Sequence, residues 1–364
     1  MNIIIFGGSF DPIHIGHIKM AERAAKQYNA TVYFVPSPIG VWKSESVSKS
    51  DKLNMLKLAI EGHEDFKIDE FELNSGKDTN YSIDTVRYFK TKFPNDTLYF
   101  LMGSDQASKF NLWQNAKEIS DIAHIIFYPR AGVDVSRENI DMFRMEQIKG
   151  SFYEFASSSI RNLNDLGLDD KVLYYILDHE LYFVKRVKQI YASDRLYAHA
   201  ESVGKLCLEI AKANKLDLSS VKDAFFIAGY LHDIGKHIST DKTQEIMINY
   251  FPDYLDMPQF TFHQFVGSKI AEEEFGIRDE VILDAIRYHT TGRGEMTTLD
   301  KVVYAADKID PIRGYDSSEL IKAMMEDIDS GFEVVLKANK DYLQEQGKLI
   351  NDFLSDQCLK SYLK

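Results

Sequence analysis

The chain has 364 residues, a length that suggests two domains, and its 45% hydrophobic and 27% charged content marks it as globular rather than disordered. With 43 basic against 56 acidic residues the formal charge is −13, which argues against a nucleic-acid partner or an anionic membrane surface. Cys207 and Cys358 offer no disulfide framework and fit a reduced, cytoplasmic protein; the apolar runs are too short for a transmembrane helix, and MNIIIFGG is not expected to act as a signal peptide.

In chain order, IIIF (3–6) reads as a buried strand entering a glycine turn, followed by a helix over 17–28 and a strand over 31–36. Further helices are expected over 51–62 and 82–93, and strands over 97–103 and 123–129. Strands alternating with helices argue for a doubly wound parallel α/β sheet. That pattern stops near residue 183. After a short basic join at 184–190, helical periodicity takes over, with cap candidates at Ala192-Ser193-Asp194 and further helices over 221–236, 263–276, 279–291, 299–309 and 318–338. We therefore expect an α/β domain over 1–186 and an all-α domain over 187–364. The acidic excess lies in the second half: residues 1–190 carry 23 basic and 26 acidic residues, residues 191–364 carry 20 and 30.

Two constellations carry chemistry. In GGSFDPIHIGH (7–17) a glycine turn leads from a strand into a helix, whose free N–H groups suit a phosphate, and His14 and His17 share a face of the first turn. Two imidazoles beside a phosphate can donate hydrogen bonds to a charged transition state. In the second half His199, His232, Asp233, His263, His289 and Asp307 lie on or beside apolar helical stripes, where an unpaired carboxylate is costly. Nitrogen and oxygen donors without thiolate suit iron, manganese, cobalt or zinc. His237 reads as a surface neighbour, and His63, His124 and His179 as structural.

HxGH after the first strand resembles the nucleotidyltransferase superfamily, whose fold is Rossmann-like. LMGSD (101–105), NYSIDT (80–85), Trp113, SSSIR (157–161) and VLYYILDHELY (172–182) narrow the resemblance to bacterial nicotinate-nucleotide adenylyltransferases. It implies adenylyl transfer from ATP to nicotinate mononucleotide with Mg²⁺, giving nicotinate adenine dinucleotide and pyrophosphate. By that resemblance His14, His17, Lys43, Ser158 and Arg161 act on the triphosphate, with Ser159 beside them. Gly8, Ser9, Phe10, Gly103 and Asp105 hold the nucleotide, and Thr85 and Trp113 hold the nicotinate ring. GVWK (40–43) departs from the family's usual PPHK-like stretch, Lys52 stands where an arginine often opens the next helix, and Ala156 and Ser159 replace Ile and Thr in the signature. These departures bear on the choice between acid and amide mononucleotide.

The order H…HD…H…H…D, with GYLHDIGK (229–236), RLYAHAESVGKL (195–206) and AIRYHTTGRGEMTTLDKVVYAADKIDPIRG (285–314), resembles the YqeK-type HD phosphohydrolases. It implies a site for two iron ions or other divalent transition metals and symmetrical cleavage of diadenosine tetraphosphate to two ADP. The implied ligands are His199, His232, Asp233 and Asp307 for one metal, with Asp233 shared by a second that His263 and His289 complete. Lys236, Thr290, Thr291 and Arg313 are the implied phosphate contacts. A homodimer is a family-level expectation. The alternatives are an HD domain that cleaves an alarmone or cyclic dinucleotide, one that senses nucleotides for the transferase, and a first half acting on phosphopantetheine or a cytidylyl substrate.

Overall fold

The computed structural model describes residues 1–38, 47–77, 80–150, 155–216, 218–348 and 352–363, without the side chains of 218–222. The chain forms two compact units, residues 1–161 with 165–182, and residues 162–164 with 183–364.

The first unit runs β1 (Asn2–Gly8), α1 (Ile15–Tyr28), β2 (Ala30–Pro36), α2 (Lys49–Ile60), β3 (Phe66–Ile68), α3 (Ser82–Lys92), β4 (Thr97–Gly103), α4 (Ser104–Ala107), α5 (Ala116–Ile122), β5 (His124–Tyr128), α6 (Arg137–Phe143), β6 (Glu146–Gln147), α7 (Ser157–Arg161) and α8 (Asp170–Asp178). The six strands form one parallel sheet in the order β3-β2-β1-β4-β5-β6. Successive side chains of a strand face opposite sides. Ile3 and Ile5 accordingly join Tyr33, Phe100 and Phe127 in a core under α3 and α5, while Ile4 and Phe6, equally buried, face the other layer. Both faces being covered explains why the strands read as continuous apolar runs. The edge strands β3 and β6 span three and two residues, too few to show a pattern in the sequence. Strand order reverses between β1 and β4, and in such sheets ligands bind outside the carboxyl ends of the strands at that point. Those ends are Gly7-Gly8 and Gly103.

The second unit is helical: α9 (Phe183–Tyr191), α10 (Asp194–Ala213), α11 (Leu218–Leu231), α12 (Thr240–Tyr250), α13 (Phe262–Phe275), α14 (Glu280–Arg287), α15 (Thr298–Ile309), α16 (Ser318–Glu326), α17 (Ile328–Glu345) and α18 (Phe353–Tyr362). Three details differ from the sequence expectation. The basic stretch 184–190 is not a bare join: it lies in α9, which buries Val184, Val187 and Tyr191 and leaves Lys185 outside. The expected helix over 318–338 is two helices, because Asp327 is extended and caps α17 by accepting from the Ser330 N–H at 2.9 Å. The resemblance to a terminal helix over 172–182 holds only to Asp178, since Glu180 and Tyr182 have positive φ. Among the described residues no helix is long and apolar enough to cross a membrane.

Candidate active sites

A cavity of about 640 Å³ opens outside the carboxyl ends of β1 and β4. Its glycines keep the backbone close: a Cβ on Gly8 would come within 3.0 Å of the Phe10 ring, and one on Gly103 would collide with the Asp105 carboxylate. His14 caps α1 and His17 lies in its first turn, their rings stacked with centroids 3.6 Å apart. The His14 N–H donates to His17 Nδ1 at 3.3 Å, so neutral His17 carries its proton on Nε2. Burial, with the nearby Arg130 guanidinium, lowers the His14 pKa to about 3; burial, His14 and Arg130 hold His17 well below the usual histidine value. Both rings are therefore neutral at physiological pH: they offer hydrogen bonds to an anion but no charge.

Of the transferase residues singled out in the sequence, Gly8, Ser9, His14, His17, Gly103, Asp105, Trp113, Ser158 and Arg161 border this cavity. Arg161 is anchored by donating to the Asp11 carbonyl at 2.6 Å. Phe10 does not border it: at φ +42° its side chain turns into the core against Phe6, Phe34 and His17. Thr85 is buried and donates to Glu72 Oε1 at 2.6 Å, so the cavity wall there is Glu72, whose pKa burial raises. Ser159 is not among the residues that border the cavity, whereas its neighbours Ala156 and Ser157 are. Lys43 lies outside the described residues. Lys52 is buried, with Nζ donating to the Ser37 and Pro38 carbonyls at 2.9 and 3.4 Å, so it shapes the wall without entering it. Sequence reasoning missed Arg130, which follows β5, borders the cavity and lies 3.4 Å from Asp105. Its signal was positional, a cation just beyond the carboxyl end of a parallel strand.

In the second unit α11 ends at Leu231, and a tight turn presents His232 and Asp233. His199 comes from α10, His263 from α13 and Asp307 from α15, while His289 follows α14. These six donors form two groups, His199-His232-Asp233-Asp307 and Asp233-His263-His289, each with ligand atoms within 4.8 Å of one another. Asp233 belongs to both: Oδ2 lies 3.4 Å from His232 Nε2, and Oδ1 lies 3.3 and 3.5 Å from the Nε2 atoms of His289 and His263.

The donor set fits cations. Every histidine has Nδ1 committed to an acceptor: His232 to the Gly229 carbonyl, His263 to Phe260 and His289 to Ile286, all at 2.7 Å, and His199 to Asp310 Oδ2 at 2.6 Å. Nδ1 is thus the protonated nitrogen of each neutral ring, and each Nε2 lone pair points inward. The His263 and His289 lone pairs meet at 3.3 Å, and His232 Nε2 and Asp233 Oδ1 are buried without a hydrogen-bond partner. A cation is what such an arrangement lacks. Burial and its neighbour His289 lower the His263 pKa to about 3, so that ring stays an unprotonated donor.

Three cations and a threonine surround this cluster. Lys236 donates to Asp233 Oδ2 at 2.5 Å, Lys308 to Asp307 Oδ2 at 2.8 Å, and Arg313 contacts Asp307 and His199 Nε2. Thr290 Oγ1 sits 3.1 and 3.0 Å from the Nε2 atoms of His263 and His289. Thr291 turns away; its buried hydroxyl donates to the Gly292 carbonyl. Arg293 ties this loop to α14 and α15 through Asp284 and Asp300 at 2.8 and 2.6 Å. Asp310, Lys308 and Gln264, which accepts from the Thr290 N–H at 3.1 Å, were not read from the sequence, because each acts through another residue of the site and breaks no periodicity.

Comparison with known proteins places both units. The cytidylyltransferase-like family model matches residues 5–221, and the HD domain model matches residues 196–312. The chain is 32% identical over 350 residues to the "Probable nicotinate-nucleotide adenylyltransferase/Ap4A hydrolase" of Mycoplasma genitalium, covering 92% of this chain and 97% of that one. It is 29% identical over 348 residues to the protein of the same name in Mycoplasma pneumoniae, covering 92% and 98%. A "Probable nicotinate-nucleotide adenylyltransferase" of Aquifex aeolicus is 42% identical over 132 residues, 36% of this chain and 78% of its own.

Proposed function

This chain belongs to the cytidylyltransferase-like family, joined to an HD domain in one polypeptide, and from that membership we propose how its own residues divide two reactions. It is a bifunctional enzyme, a nicotinate-nucleotide adenylyltransferase and an Ap4A hydrolase.

In the transferase, the mononucleotide phosphate attacks the α-phosphorus of ATP in line, and pyrophosphate leaves. Catalysis rests on positioning and charge. The neutral His17 donates from Nε2 into the cavity, so the protein's positive charge comes from Arg130 and Arg161, with Lys43 as a third candidate. Asp105 holds the adenosine and Trp113 stacks on the pyridine. Mg²⁺ is the cation that fits a triphosphate substrate.

In the hydrolase, His199, His232, Asp233 and Asp307 hold one divalent transition metal, and Asp233, His263 and His289 hold a second. Iron is the metal proposed. Two bound cations supply Lewis-acid charge for activating water and polarising a phosphoryl oxygen. Lys236, Thr290 and Arg313 orient the phosphate chain, and cleavage is symmetrical. The observation that carries this reading is Asp233, one buried carboxylate shared by two inward-facing histidine sets. The test uses reduced, iron-supplemented protein with diadenosine tetraphosphate, its products resolved by ion exchange. ADP as sole product, lost in Asp233→Ala, is expected; ATP plus AMP, or no cleavage, refutes it.

A further inference from the structure

The transferase cavity carries a carboxylate that the handling of phosphate does not use. Thr85, implied by resemblance to hold the nicotinate ring, is buried behind the wall, and Glu72 borders the cavity in its place. The Thr85 hydroxyl donates to Glu72 Oε1 at 2.6 Å, and no described residue donates to Oε2. A proton on this carboxyl therefore sits on Oε2, the oxygen left for a ligand. The Asn80 amide donates to the Glu72 carbonyl at 3.2 Å and ties down its backbone. Trp113 borders the same cavity, edge-on to Phe100 with ring centroids 6.0 Å apart. The wall therefore holds a flat aromatic ring and a carboxyl with one uncommitted oxygen.

We propose that Glu72 reads the substituent of the pyridine ring, taking up one proton when nicotinate mononucleotide binds and none when the amide mononucleotide binds. The inference rests on the transferase reading, in which Trp113 stacks on that ring. Two carboxylates that share a site do not both stay charged; one proton is held between them. That proton comes from solvent, and with it Glu72 Oε2 donates to the substrate carboxylate. The amide brings its own N–H₂, which ionised Glu72 accepts, so no proton is needed. The acid is therefore favoured over the amide more strongly as pH falls. Burial already raises the Glu72 pKa, opposed by the Thr85 hydrogen bond. The other ionisable groups on the cavity wall are His14, His17, Asp105, Arg130 and Arg161. Charges near Glu72 along the chain and from α2 are engaged elsewhere: Asp69 with Lys92 at 2.7 Å, Lys77 with Asp84 at 2.9 Å, and Lys49 with the Leu73 carbonyl at 2.8 Å. None of these groups is a cause of the Glu72 shift.

The experiment has two readouts on the full chain. Titration calorimetry with each mononucleotide, in buffers of different ionisation enthalpy at one pH, counts the protons taken up. The ratio of kcat/KM for acid and amide is followed against pH. Both mononucleotides carry the same phosphate, so their difference isolates the ring substituent. The acid is expected to bind with about one more proton than the amide, and the acid-to-amide ratio of kcat/KM to fall about ten-fold per pH unit above neutrality. Glu72→Gln keeps an oxygen for Thr85 and offers an N–H₂ to the acid. In that variant the extra proton is expected to disappear and the ratio to become independent of pH. Where the variant does not fold, the comparison of acid with amide in the parent decides alone. Equal proton uptake for the two mononucleotides with a pH-independent ratio in the parent, or an undiminished difference in Glu72→Gln, overturns the inference and leaves the transferase reading standing. Absence of any adenylyl transfer to nicotinate mononucleotide overturns the transferase reading, and the inference with it.

Discussion

Replacing Asp310 by Asn tests whether the histidine tautomers are set from outside the metal cluster. Asp310 is fully buried and touches the cluster only through His199, whose Nδ1 it receives at 2.6 Å. Its other oxygen accepts from the Ser202 hydroxyl, also at 2.6 Å. Burial opposes its ionisation, yet these two bonds hold its pKa below the usual carboxylate value, so it is a charged acceptor. Asparagine keeps one oxygen for His199, but its amide N–H₂ then stands where the other oxygen accepts from the Ile312 N–H, so that bond is lost. It loses the charge, and its amide N–H₂ meets Ser202, which must rotate. A supporting carboxylate of this kind is worth about 10–100-fold in metal affinity, about 1.4–2.7 kcal/mol. Since Asp310 has no contact with His263 or His289, the loss falls on one metal only. Chelator competition on Asp310→Asn is expected to release the ion held by His199, His232, Asp233 and Asp307 at roughly ten- to hundred-fold lower chelator concentration. The ion at His263 and His289 leaves as in the parent. Equal weakening of both ions, or no weakening with an unchanged melting temperature, refutes the argument.

Gly235→Ala places a Cβ against the His263 carbonyl and within 2.7 Å of the Gly267 nitrogen; backbone cannot yield as a side-chain tip does, so calorimetry is expected to show a loss of about 1–3 kcal/mol and metal analysis a selective loss of the ion at His263 and His289. Arg130→Ala removes charge that two neutral histidines cannot replace, and adenylyl transfer is expected to fall on the order of 10²-fold, with partial recovery in Arg130→Lys; pyrophosphate release measures both. The buried His14 gives a pH signature in the ligand-free protein. Its folded pKa, about 3, lies below the unfolded value near 6.5, so the unfolded chain binds the extra proton. Stability from this group is complete above pH 6.5 and falls by about 1.4 kcal/mol per pH unit between 6.5 and 3. Melting temperatures of the parent between pH 7 and 4.5 are expected to drop more steeply than those of His14→Asn.

The parts legible in the sequence were those with a strong local signature. The central strands were continuous β-branched and aromatic runs because helices cover both faces of the sheet, and six ligands stood out because charged or imidazole groups lie on or beside apolar helical stripes. What escaped shares a different physics. Glu72 borders the first cavity while accepting from Thr85, and Asp310 matters because it orients His199; both are defined by pairings across 13 and 111 residues, which hydrophobic periodicity does not report. Arg130 and Phe10 mark the same limit from two sides. The motif GGSF reads as though its phenylalanine faces the ligand, but a positive φ turns that ring into the core, where it packs on His17 and helps bury it. Burial then removes the charge that the HxGH spacing suggests, and Arg130, just beyond the end of a strand more than a hundred residues later, supplies it. The motif thus fixes where the phosphates lie, while the fold decides which side chain there is a cation.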